Sequence, residues 1–116
     1  MVAALEGHPK VGASWEGFAL SEVRSRTGAA PHECFYWATH GGAELDLLLV
    51  RGTERRGFEF KRTAAPTRTR SMVVALEDLR LDSIDVIYPG DATFPLGERI
   101  RAVGLDRLGD VAPLGG

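Results

Sequence analysis

Asp46, Glu59 and Lys61 are the residues of this chain best placed to do chemistry together, because they fall on two short apolar segments joined by a turn. Gly52-Thr53 is a Gly-X pair of the kind that closes a two-residue type II′ hairpin. That turn sets Leu47 opposite Phe58 and Leu45 opposite Phe60, giving one apolar face. The other face then sets Asp46 against Glu59 and Glu44 against Lys61, with the Cβ atoms of each pair about 4.5–5.5 Å apart.

Two opposed carboxylates repel one another and weaken a sheet, and aspartate among leucines is a poor strand residue. A hard divalent cation, Mg²⁺ or Mn²⁺, removes that penalty, since such ions take one or two carboxylates and keep several waters. Lys61 projects from the same face as Glu59 and could orient a metal-activated water or help deprotonate it. Phosphodiester hydrolysis needs this combination of charge neutralisation at the phosphate and an activated water nearby. From the hairpin alone a second reading stands beside it, a solvated polar face on which Glu44 and Lys61 form an ordinary cross-strand ion pair.

The elements that must position these residues can be read on either side of the hairpin. Residues 1–13 read as an irregular lead-in. Ser14 is a good N-cap for a helix running to about Arg26 and closed by Gly28 and Pro31. On that helix Glu16 lies within the arc of Trp15, Ala19, Leu20 and Val23, an unfavourable place for a carboxylate without a partner. If the helix packs on the site-bearing side of the sheet, Glu16 joins Asp46 and Glu59; otherwise it is a first-turn acid that suits the helix dipole. Strands are expected over Cys34–Ala38, Glu44–Val50 and Arg56–Lys61. A second helix follows Pro66, with Met72, Val73, Leu76 and Leu79 at helical spacing. Further strands cover Ile84–Tyr88 and Arg99–Leu105, ahead of a frayed tail from about residue 106 to residue 116. The expected fold class is α/β, an antiparallel meander followed by a crossover helix that adds strands to one mixed sheet.

At 116 residues there is room for one domain with one core. No apolar run reaches the roughly 18 residues of a membrane span, and the amino terminus lacks the basic flank and apolar core of a signal peptide. Cys34 is the single cysteine, which excludes an intrachain disulfide and suits a reducing, cytoplasmic setting. The net charge of −2 hides an asymmetry, for Arg51 to Arg70 holds seven basic residues against Glu54 and Glu59. Such a window can meet a phosphate backbone, with Arg56, Arg62, Arg68 and Arg70 as the DNA-contacting candidates, or be a solvated arginine-rich loop.

Glu16 on a first helix, Asp46 on a strand and Glu59-Phe60-Lys61 on the next resemble the motif of the PD-(D/E)xK nuclease superfamily. That resemblance implies a restriction-endonuclease-like α-β-β-β-α-β core. The stretches Gly12-Ala13-Ser14-Trp15-Glu16-Gly17-Phe18, His40-Gly41-Gly42-Ala43-Glu44-Leu45-Asp46 and Gly57-Phe58-Glu59-Phe60-Lys61 narrow it further. They resemble the C-terminal domain, of unknown function (4143), found in bacterial and archaeal AAA+-type ATPases. The resemblance covers about residues 8 to 105. It implies Asp46 and Glu59 as metal ligands with Glu16 as an auxiliary acid and ligand, Lys61 as catalytic lysine, Mg²⁺ or Mn²⁺ as cofactor and DNA as substrate. Family members carry an N-terminal P-loop ATPase, whereas this chain has no G-x-x-x-x-G-K-[ST] loop, so ATP hydrolysis is not expected of it. A stand-alone relative and a truncated remnant are both compatible with that. The alternative function is a non-catalytic module that binds DNA, an ATPase partner or a second copy of itself.

Other candidates carry less. His8, His32 and His40 lack zinc-site spacing, and Trp15, Phe35, Tyr36 and Trp37 read as core rather than as base-stacking platforms. Ser14 reads as a cap, because no histidine is placed to activate it.

Overall fold

Two helices sandwich a seven-stranded mixed sheet in the computed structural model, which describes residues 1–5 and 14–115. In chain order the elements are β1 (Val2–Ala4), α1 (Trp15–Thr27), β2 (Cys34–Ala38), β3 (Glu44–Arg51), β4 (Glu54–Phe60), α2 (Arg70–Asp78), β5 (Ser83–Tyr88), β6 (Thr93–Gly97) and β7 (Ile100–Gly104). The sheet order is β1-β2-β3-β4-β5-β7-β6. Strands β1 to β4 are antiparallel neighbours, β4, β5 and β7 run parallel, and β6 returns antiparallel to β7. The expected α/β class, with its meander and crossover helix, is the observed one.

Local chemistry sets the helix ends. The Ser14 hydroxyl accepts the Gly17 N–H at 3.1 Å, and Gly28 closes α1 in the left-handed region at φ 73°. Thr69 caps α2 by accepting the Met72 N–H at 3.3 Å. One layer of core lies between α1 and the sheet, with Ala19, Leu20 and Val23 against Leu47, Leu49, Phe58, Phe60 and Ile87. The other joins Met72, Ala75 and Leu76 of α2 to Leu48, Leu81, Ile84 and Val86.

Three parts differ from expectation. Of the lead-in, Val2–Ala4 is a strand that borrows its pairing from β2, while residues 6–13, and His8 with them, lie outside the described residues. Strand β6 contains Pro95, a residue excluded from central strands because it has no N–H to donate, and lies at the sheet edge, where only one neighbouring strand needs pairing. The tail is not frayed: Leu105–Asp110 forms a 3-10 turn, and Val111 and Leu114 are buried in the α1-side core. The Leu114 N–H also donates to the Thr27 carbonyl at 2.8 Å.

Candidate metal centre

The hairpin forms in the expected register over its outer part. Gly52 takes φ 61°, as a glycine-first turn demands, and the ladder pairs Arg51 with Glu54, Leu49 with Arg56 and Leu47 with Phe58. There the regular ladder stops. Between its pairings with Phe35 and Trp37, strand β3 shifts register, so that Asp46 and Leu47 together stand against Tyr36. This β-bulge turns Leu45 into the α2-side core while Leu47 stays in the α1-side core, so Leu45 does not share an apolar face with Leu47 and does not oppose Phe60. Beyond the bulge Glu44 is exposed and pairs with Ala38 on the β2 side, and because the β3–β4 ladder ends at Leu47 and Phe58 it does not pair with Lys61 as expected.

Side chains replace backbone in the opened seam. The Phe60 N–H donates to Asp46 Oδ2 at 3.0 Å, and the Asp46 N–H donates to Glu59 Oε2 at 3.2 Å. Both carboxyl groups are buried, each residue only 2% exposed. Burial, a hydrogen bond with the Asp46 carboxylate and the Asp46 charge push Glu59 up to about 9, against a smaller pull from the Lys61 ammonium. The direction of that shift favours one proton held between the two carboxyl groups. Lys61 is half-buried, and its backbone N–H is fixed to the Ile87 carbonyl at 2.9 Å.

Asp46, Glu59 and Lys61 are thus brought together, and Glu16 is not. Helix α1 covers the face that carries Phe58 and Phe60, and strand alternation sends the Glu59 side chain to the other face. Among the described residues no three His, Cys, Asp or Glu side chains form a group that could hold a metal. Two hard oxygen donors sharing one proton nevertheless suit a magnesium-type cation, which completes its shell with water and phosphate.

The basic window also divides. Arg56 is buried, stacks on the Phe58 ring at 5.5 Å and donates to the Ala112 carbonyl at 2.8 Å, so the fold consumes it and it is not a surface contact for DNA. Arg62, Arg68 and Arg70 are exposed along the segment that leads from β4 into α2. Sequence reading missed the buried Asp85, which holds Arg101 through contacts of 2.9 and 3.3 Å in a cleft of about 480 Å³ also lined by Arg56, Arg99 and Asp110. Only the alternation of Asp85 among Ile84, Val86 and Ile87 signalled it. That cleft contains neither Asp46 nor Glu59.

Comparison with known proteins places the chain. Residues 11–108 match the family described as a domain of unknown function (DUF4143). The chain belongs to that family. It is similar to uncharacterized proteins of Mycobacterium bovis and Mycobacterium tuberculosis, each 45% identical over 105 residues. These alignments cover 90% of the chain but 23% of each relative, so the chain spans under a quarter of the relatives' length. No solved structure matches. No helix among the described residues is long and apolar enough to cross a membrane.

Proposed function

We propose that the chain is a Mg²⁺- or Mn²⁺-dependent phosphodiesterase acting on DNA, an endonuclease-like hydrolase with a restriction-endonuclease-like core of the PD-(D/E)xK kind. The observation that carries this reading is the pair of buried carboxylates meeting in a seam that β3 opens with a bulge, with the Lys61 charge acting on Glu59. The run α1-β2-β3-β4-α2-β5 follows the order that such a core requires. Asp46 and a deprotonated Glu59, its proton lost to solvent, would hold the cation, with Glu16 outside the ligand set. A bound cation supplies Lewis acidity at the phosphodiester and acidifies water. The Lys61 ammonium orients the attacking water and stabilises the developing charge, and Arg62, Arg68 and Arg70 meet the DNA backbone.

A second reading is a non-catalytic module that binds DNA, an AAA+-type ATPase or a second copy of itself. One observation favours it: a protonated Glu59 and its neighbours satisfy each other's hydrogen bonds without a cation. Incubation of the purified chain with branched, single-stranded and duplex DNA and either metal separates the readings, with Asp46→Ala and Lys61→Ala alongside. Metal-dependent cleavage that both substitutions abolish is expected. Cleavage that survives both points to a contaminant and overturns the enzymatic reading.

A further inference from the structure

Residues two apart in a regular strand share a face, yet Leu45 and Leu47 are buried in opposite layers of this fold. Both can be buried so only if the chain between them leaves the regular pleat, and the residue between them is Asp46. The place that Leu45 occupies is prepared on the neighbouring strand. A Cβ at position 57 would lie 3.2 Å from Leu45 Cδ1, 3.1 Å from Ile84 Cγ1 and 2.9 Å from Leu81 Cδ1, closer than such contacts allow without displacement. Glycine at 57 is therefore what leaves room for a leucine that a regular hairpin would send to the other side of the sheet.

We infer that Leu45, seated over Gly57, is the positioning residue that holds Asp46 against Glu59 and Phe60. The inference rests on the reading of Asp46 and Glu59 as cation ligands and adds what fixes them in place. In a regular pleat the ladder would continue past Leu47 and Phe58, and the Phe60 N–H would donate to the Leu45 carbonyl. In this fold it donates to Asp46 Oδ2. Releasing Leu45 lets the strand close and withdraws the Asp46 carboxylate from the seam, although Leu45 touches neither cation nor substrate.

The test compares Leu45→Ala, Leu45→Met and Gly57→Ala with Leu48→Ala, a truncation in the same core layer and on the regular part of β3. Two quantities are read on the whole chain: Mn²⁺ affinity, and the hydrogen-exchange rate of the Phe60 amide relative to that of Phe58. Leu45→Ala and Gly57→Ala are expected to weaken Mn²⁺ binding about tenfold or more, the usual cost of disturbing a ligand's support, and to alter the Phe60 rate selectively. Leu45→Met, which refills the space, restores both. Leu48→Ala lowers stability and moves neither. If Leu45→Ala does not fold, Gly57→Ala with Leu45→Met decides the matter. Variants at 45 and 57 that match Leu48→Ala in both readouts overturn the inference. If the unaltered chain takes up no Mn²⁺, the ligand reading fails, and the Phe60 exchange rate alone decides whether Leu45 holds Asp46.

Discussion

Two buried glutamates in this chain meet opposite fates. Glu33, 8% exposed, ends a 3-10 turn and is gripped by Arg51 through contacts of 2.7 and 2.8 Å, while it also accepts the Ala30 N–H at 2.9 Å. Those hydrogen bonds hold its carboxyl down at about 2. Glu59, 2% exposed, faces Asp46 and is pushed up to about 9. Arg51 further bonds the Gly28 carbonyl at 3.2 Å and reaches toward the carbonyls of Leu114 and Gly115, so the Glu33 pair fastens the end of α1, β3 and the tail together. The first site is electrostatically complete and stabilises the fold. The second lacks a positive charge within the pair itself, and a buried acid perturbed by a neighbouring acid is a candidate functional group.

Breaking each glutamate separates the two roles. Glu59→Gln, which keeps the shape but cannot replace a carboxylate ligand, is expected to reduce metal-dependent cleavage at least about 100-fold, or roughly 3 kcal/mol of transition-state stabilisation. The same change is expected to make the metal-free protein more stable at pH 8. Glu33→Gln leaves cleavage near the unaltered level and lowers the melting temperature by several degrees at pH 7.

The pH dependence of stability sharpens the contrast. Because the folded Glu59 binds its proton more tightly than the unfolded one, its contribution is fully present below about pH 4.5 and is lost as pH rises toward about 9. Metal-free protein should lose on the order of a few kcal/mol across that window, and saturating Mn²⁺ or the Glu59→Gln change should flatten the loss. Glu33 acts with the opposite sign: its contribution is present above about pH 4.5 and disappears as pH falls toward about 2. Denaturant titrations at pH 3, 5, 7 and 9 on the two glutamine variants read both slopes.

Smaller effects are expected at the periphery. Arg62→Ala should weaken DNA binding by a few fold and shallow its salt dependence by about one charge, with Mn²⁺ affinity unchanged. Arg56→Ala should instead cost stability, because its partners are Phe58 and the Ala112 carbonyl. Ser14→Ala, which removes only the α1 cap, is expected to cost about 1 kcal/mol and to leave the metal site alone.

Features that short-range chemistry decides were legible in the sequence. Ser14 and Gly28 bound α1 as their capping chemistry requires, and Gly52-Thr53 sets the pairing of Leu47 with Phe58. Asp46, Glu59 and Lys61 could be brought together from that hairpin. What could not be read depends on distant partners. The side of the sheet to which Leu45 belongs is decided by Gly57, Leu81 and Ile84, not by the alternation of its neighbours. Strand β1 exists through β2, and the tail through burial of Val111 and Leu114. Arg56 and Arg62 look alike in a basic window, and only the fold makes one a core contact and leaves the other exposed. Glu16 was placed by helix phase, which says nothing about the face of the sheet on which a helix will lie.

On the reading proposed above, Asp46 and Glu59 share a proton in a seam that accepts a divalent cation. Calorimetric titration of Mn²⁺ into the metal-free chain at pH 7, repeated in two buffers of different ionisation enthalpy, tests it most directly. Saturable binding, release of about one proton per bound ion, and loss of both in Asp46→Ala are expected. Absence of binding, binding without proton release, or binding that persists in Asp46→Ala would contradict it.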